Sequence, residues 1–259
     1  MRMTGIDPYK IAQSGQCFRM RALADGSVEA LAGRERALLR PVGAEEFELE
    51  CAPGQENAWR TYFDEALDYD AIERDALGRD ERLARAAAKA HGLRILRQDP
   101  WETLISFLIS QRKSIPAIRG CVEKLCERFG EKRDGAFAFP TARALAEAGE
   151  EALRACGVGY RAPYLADAAA RTLSGALPLD EMGGLPSEAL LERLLTVRGV
   201  GVKVASCVML YGYHRLDVCP VDVWIERTIQ ADYGGASPFP GYGANAGIFQ
   251  QYLFMDRGA

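Results

Sequence analysis

The stretch LLERLLTVRGVGVKVASCVMLYG, ending at Gly212, constrains the fold more than any other part of the chain. It reads as helix, short turn, helix, with Gly199 and Gly201 flanking Val200. Glycines let the backbone turn sharply and leave its N–H groups unobstructed. Such donors at a helix N-terminus make a phosphate site. The same pattern also fits a plain αα-corner, because helix connections often carry glycine. Lys203 falls in the first turn of the second helix, where the helix dipole disfavours a cation. It is a surface lysine, a phosphate contact or, if partly desolvated, an amine nucleophile.

Asp222 follows Pro220 in CPVDVWIER. Proline suits the first turn of a helix, so Asp222 is expected within that turn, where the dipole favours a carboxylate. Taken alone, Asp222 is an ordinary N-terminal capping acid. Taken with Lys203, it is a carboxylate able to stabilise a developing cationic sugar. A carboxylate beside an amine favours the charged lysine, whereas burial favours the neutral one, and the sequence leaves that balance open.

The chain of 259 residues is 48% hydrophobic and 26% charged, ordinary values for a globular protein with a real core. No apolar run is long enough to suggest a membrane span, and the start, MRMTGIDPYK, lacks the apolar stretch of a secretory signal. A cytoplasmic location is expected, associated with the nucleoid if the cell is bacterial. The seven cysteines are scattered with no C-x-x-C pair, and there are two histidines, so zinc-ligand spacing is absent. Most of the cysteines are expected to be small buried hydrophobes in a reducing compartment. The net charge of −4 argues mildly against a non-specific nucleic-acid coat but leaves room for a local patch. The cations between Gln111 and Arg133 fit a binding patch or a solvated helix face equally well.

Along the chain, CFRMRAL, SVEALAG, ERALLRPV and EEFELEC follow one another at short intervals with glycine turns, the pattern of an antiparallel meander. From Gln55 the period becomes helical, as in NAWRTYFDEAL and DERLARAAAKA. Beyond Asp99 nearly everything reads as helix. Ser114 is the expected cap of a helix that Gly130 stops, and Ser187 the cap of EALLERLLTV. The expected fold class is α+β, mostly α. A small N-terminal β-rich domain with flanking helices spans 1–95, and a helical domain spans 96–259.

These motifs together resemble the helix-hairpin-helix superfamily of base-excision DNA glycosylases, and within it the 8-oxoguanine DNA glycosylases. The hairpin and the P-V-D-V that follows it match the family signature, and SGQCFRM resembles its G-Q-x-F-R-W. GVGYRAPYLADAA resembles its G-x-G-Y-R-A-x-Y helix start, and LISFLISQRKSIPAIRGCVEKLCERFG its lesion-facing helix pair. The match covers most of the chain in the family's order. Some superfamily members hold an iron–sulphur cluster on four cysteines after the aspartate; here no cysteine follows Cys219, so none is expected.

The resemblance implies a glycosylase with abasic-site lyase activity, acting without metal or organic cofactor on double-stranded DNA that contains a damaged purine. A monomer is expected. It makes Lys203 the nucleophile and Asp222 its carboxylate partner. It assigns the Gly15 carbonyl to reading the lesion, Cys207 and Phe254 to sandwiching the base, and Gln250 to its Watson–Crick edge. Gly199, Val200 and Gly201 would hold a backbone phosphate, with Arg112, Tyr160 and Arg161 also at the DNA and Tyr160 as a wedge. Animal members question the opposite cytosine with an asparagine and, five residues later, an arginine; here those positions hold Arg112 and Ala117. Rival readings are a glycosylase for alkylated bases on the same fold, a non-enzymatic helix-hairpin-helix DNA-binding module and a helical protein-interaction domain.

Overall fold

The computed structural model describes residues 1–43, 45–133 and 135–256. The N-terminal part is a five-stranded antiparallel sheet of β1 (Arg2–Thr4), β2 (Met20–Ala22), β3 (Val28–Ala32), β4 (Glu35–Pro41) and β5 (Glu46–Cys51). Their order is β1-β5-β4-β3-β2, a meander closed at one edge by β1, which pairs Met3 with Phe47. Strands β4 and β5 alternate buried and solvent-facing residues, with Leu39 opposite Leu49 on the inner side. The meander matches the expectation, except that Cys17–Arg19 precede the strand, and the three-residue β1 was too short to show a period.

Helices follow: α1 (Pro8–Gln13) inserted before β2, then α2 (Glu56–Tyr62), α3 (Tyr69–Leu77), α4 (Glu81–Ala90), α5 (Pro100–Ser110) and α6 (Ile115–Phe129). A two-residue hairpin pair, β6 (Lys132–Arg133) and β7 (Ala136–Phe137), leads into α7 (Ala142–Leu153) and α8 (Ala162–Leu173). Then come α9 (Leu179–Met182), α10 (Ser187–Leu195), α11 (Val202–Cys207), α12 (Val223–Asp232) and α13 (Ala246–Met255). Among the described residues no helix is long and apolar enough to cross a membrane. All seven cysteines are free, five of them buried.

Several local expectations need correction. NAWRTYFDEAL is not one helix: α2 ends at Tyr62, and Asp64 adopts φ +51 to turn its carboxylate into the interior. There it meets Arg97 Nε at 2.7 Å, His214 Nε2 at 3.0 Å and the Tyr69 hydroxyl at 2.9 Å. Ser187 is the first residue of α10 rather than its cap, and no side chain caps that end. Ser114 does precede α6 but gives it no side-chain hydrogen bond. Gly130 ends α6 in extended backbone, not a left-handed turn; a Cβ there would lie 2.0 Å from the Ala138 carbonyl oxygen.

The β-rich and helical parts share one apolar core. Gln16, from SGQCFRM, is fully buried; its side chain donates to the Arg94 carbonyl and accepts from the Leu96 amide, both at 2.8 Å. Arg19 pairs with Glu102 of α5 at 3.3 Å. Helix α13 packs back on α4, where Asp256 takes Lys89 and Arg82. The seam brings the loop at Ser14–Gln16 against α11 and α13, which builds the site.

Candidate active site

Lys203, Asp222, Gly15, Cys207, Gln250 and Phe254 line a single narrow cavity with Ser14, Phe107, Tyr211 and Pro220. The first six come from four separate places in the chain, so the cavity is a product of tertiary packing.

Lys203 is the second residue of α11, as expected. Its ammonium lies 5.0 Å from the centre of the Phe107 ring, a cation–π contact in a half-buried setting. Phe107 in turn stacks on Tyr211, with ring centres 5.5 Å apart and planes 18° from parallel. Cys207 lies one turn along the same helix and lines the same cavity. Burial pushes its thiol above the ordinary thiol range, against the opposing pull of Lys203. The thiol therefore stays neutral and forms a soft apolar wall.

Asp222 stands just outside the helix turn where it was expected. It is the N-cap of α12, and its Oδ1 accepts from the Trp224 and Ile225 amides at 3.0 Å each. Pro220 thus precedes the helix rather than opening it. Val221, Val223 and Trp224 around this cap are exposed, an apolar lip that the sequence reading did not single out.

Gly15 has φ +74, and a Cβ there would press to 3.1 Å from Ile115 and 3.6 Å from Phe254. Gln250 is 3% exposed, and its Oε1 is buried with no hydrogen-bond partner among the described residues. A buried amide oxygen without a protein partner keeps its capacity to accept a hydrogen bond. Helix α13 is buried almost throughout, from Ala246 to Leu253.

The hairpin follows the sequence closely. Gly199 has φ +84, and a Cβ would fall 2.4 Å from the Tyr164 ring, so glycine is required twice over. Val200 is buried and anchors the turn; Gly201 begins α11 with no side-chain cap, leaving the first-turn amides available. Tyr160 is half exposed and meets Tyr164 edge-on at 6.2 Å, which places it beside the hairpin.

Arg161 does not fit the direct DNA contact expected of it. It is 4% exposed and donates to the Val158 and Gln111 carbonyls, with its guanidinium 4.3 Å from the Tyr160 ring centre. Its work is to hold Tyr160 and the α5–α6 loop. Gln111, also missed by the sequence reading, completes that brace by donating from Nε2 to Gly199 O at 3.1 Å. Arg112, next along, is exposed with φ +53. Of the basic stretch, Arg119 turns inward to the Ala12 carbonyl, while Glu123 and Glu131 among those cations pair with Arg21 and Arg34 of the sheet side.

Two family models cover most of the chain: the N-terminal domain of 8-oxoguanine DNA glycosylase over residues 2–104, and the HhH-GPD superfamily of base excision DNA repair proteins over 105–239. A solved structure of the Clostridium acetobutylicum 8-oxoguanine glycosylase/lyase, bound to duplex DNA with cytosine opposite 8-oxoguanine, superposes with a TM-score of 0.91. It is 32% identical and covers 98% of this chain and 92% of that one. The chain belongs to the 8-oxoguanine DNA glycosylase family. The chain is also similar to an N-glycosylase/DNA lyase of Saccharomyces cerevisiae, 37% identical over 58% of this chain and 44% of the yeast protein. An Arabidopsis thaliana N-glycosylase/DNA lyase is 32% identical over 68% of this chain and 55% of that one. The chain thus spans about half the length of these curated relatives. Within the 8-oxoguanine DNA glycosylase family, the hairpin and both lysine and aspartate fall inside the region matched by the superfamily model, and the Gly15 loop inside the N-terminal one.

Proposed function

We propose that this chain is a bifunctional DNA glycosylase and abasic-site lyase that excises 8-oxoguanine from double-stranded DNA in base excision repair. The reading rests on one observation above all: an amine on a glycine hairpin and a helix-capping carboxylate line the same cavity as Gly15, Cys207, Gln250 and Phe254. The names and DNA complexes of its relatives agree with it.

An enzyme acting on a base inside a duplex must first extrude it. The amides after Gly199 would hold a backbone phosphate while Tyr160 wedges the helix. The base would enter between Cys207 and Phe254, with Gln250 Oε1 accepting from its Watson–Crick edge and the Gly15 carbonyl accepting the extra ring hydrogen of the oxidised purine. The lone pair of Lys203 Nζ attacks C1′, and the electrons of the glycosidic bond leave with the base, which takes up a proton. Asp222 stabilises the positive charge that develops on the sugar. Loss of a proton from nitrogen and opening of the sugar ring give a Schiff base. Removal of a C2′ proton then drives β-elimination and expels the 3′ phosphate. None of these steps needs a metal or organic cofactor. The protein would act as a monomer in the cytoplasm, on the nucleoid if the cell is bacterial.

Borohydride reduction during incubation with an 8-oxoguanine duplex should trap a covalent protein–DNA adduct, and Lys203→Ala should give none. An adduct of similar yield from Lys203→Ala would reassign the nucleophile. Release of an alkylated base, with 8-oxoguanine left in place, would move the substrate class to the rival glycosylase reading.

A further inference from the structure

Two neighbouring glutamines on α13 are both buried, yet they do different things. Gln250 lines the cavity with an oxygen that is unpaired among the described residues. Gln251, 1% exposed, faces the loop behind it: Nε2 donates to the Ser14 carbonyl at 3.0 Å, and Oε1 accepts from the Tyr211 hydroxyl. A carbonyl can only accept, so Ser14 fixes which end of the amide faces it, and Tyr211 is left to donate.

We infer that Gln251 is a specificity-determining positioning residue that fixes the Gly15 carbonyl for lesion reading. This rests on the proposed excision of 8-oxoguanine. Gly15 has no side chain to anchor it and sits at φ +74, where glycine rotates at little cost. Its carbonyl direction is set by the peptides on either side. Gln16 holds one side through Arg94 and Leu96. Gln251 holds the other through Ser14, whose hydroxyl also donates to the Ile11 carbonyl at 2.7 Å. Tyr211 links this support to the lysine side of the cavity, because its ring stacks on Phe107, over which Lys203 lies. A reader that discriminates by a single hydrogen bond depends on where its acceptor points.

The test compares wild type, Gln251→Met and Tyr211→Phe on two duplexes, one with 8-oxoguanine and one with a preformed abasic site, under single-turnover conditions and beside thermal melts. The abasic duplex presents no base to the Gly15 carbonyl but needs the same lysine. Gln251→Met keeps the side-chain length and removes the donor. It should lower base excision about tenfold, as expected for the loss of one buried hydrogen bond, and hold abasic-site cleavage within about threefold. Tyr211→Phe frees the Gln251 amide to turn and should shift the same ratio by a smaller factor. The double variant should then be no worse in that ratio than Gln251→Met, because the two residues act through one chain of bonds. Equal losses on both duplexes, or no change on either, would overturn the assignment of Gln251. If Gln251→Met melts too low to assay, the ratio in Tyr211→Phe decides in the same way. A wild type that cleaves the abasic duplex but leaves 8-oxoguanine in place would instead sink the proposed substrate and not the positioning argument alone.

Discussion

In the proposed mechanism Asp222 adds a chemical duty to a structural one. Its Oδ1 takes the Trp224 and Ile225 amides in the first turn of α12, which leaves Oδ2 outside the cap. Asparagine caps a helix about as well as aspartate, so Asp222→Asn keeps the fold and removes the charge. Single-turnover base release should fall by on the order of 10²–10³, the usual cost of losing one electrostatic stabiliser. DNA affinity should hold or rise, because a negative charge near phosphates is gone. Asp222→Ala should show the same loss of release and, in addition, about 1 kcal/mol of lost stability from the missing cap. Near-normal release by the asparagine variant would leave capping as the residue's sole duty. The sequence pointed to this residue through its proline and its partner lysine. Whether it sat in the first turn or one step before it depended on φ and ψ that no residue type dictates.

At the scale of elements, the α5–α6 loop carries the departure from animal members that the family resemblance implies. On the register that the family resemblance implies, Arg112 and Ala117 stand where those enzymes place an asparagine and an arginine against the opposite cytosine. Ala117 has no donor to offer, and a site that reads by hydrogen bonds rejects partners only where those bonds exist. Arg112 is exposed and held at a left-handed φ by a loop braced on both sides, through Gln111 to the hairpin and through Arg161 to Tyr160. That placement suits a long side chain filling the gap left by an extruded base more than a fixed reader of one partner. Excision of 8-oxoguanine opposite each of the four bases should therefore show a weaker preference for cytosine than in the animal enzymes. A strong cytosine preference that vanished in Arg112→Ala would make Arg112 the reader and defeat the expectation.

Across the whole molecule, buried carboxylates tie helical segments far apart in the chain to one another, which makes their packing sensitive to acid. Burial alone would raise the Asp64 carboxyl, but His214, Arg97 and Tyr69 outweigh it and hold it below the usual carboxylate range. Asp256 behaves alike, with Lys89 and Arg82 overcoming burial. A carboxyl lowered in the folded state lends stability that is fully present above its unfolded value of about 4 and is lost as pH falls through the folded one. Melting temperature should hold between neutral pH and about pH 5 and decline below about pH 4. Asp64→Asn should lose roughly 3 kcal/mol at neutral pH, since it strips a buried pair of one partner, and should decline less steeply in acid. Parallel curves for the variant and wild type would place the acid-sensitive step elsewhere.

What the sequence determined by itself was local chemistry in local order: the meander by its alternation, the hairpin by its two glycines, and Lys203 and Asp222 by their positions after a turn and a proline. These rest on backbone sterics and hydrogen bonding within a few residues, which residue types encode directly. Tertiary packing decided the rest. It broke the helix at Asp64 because a buried carboxylate found Tyr69 nearby and two partners, Arg97 and His214, from distant segments. It turned Arg161 inward because two carbonyls needed a donor there. It set Gln251 behind Ser14, a contact between residues 237 apart in the chain, which no periodicity could announce. The cavity exists only where the first twenty residues, α5, α11 and α13 meet, and that meeting is fixed by burial of a shared core rather than by any one stretch of the chain.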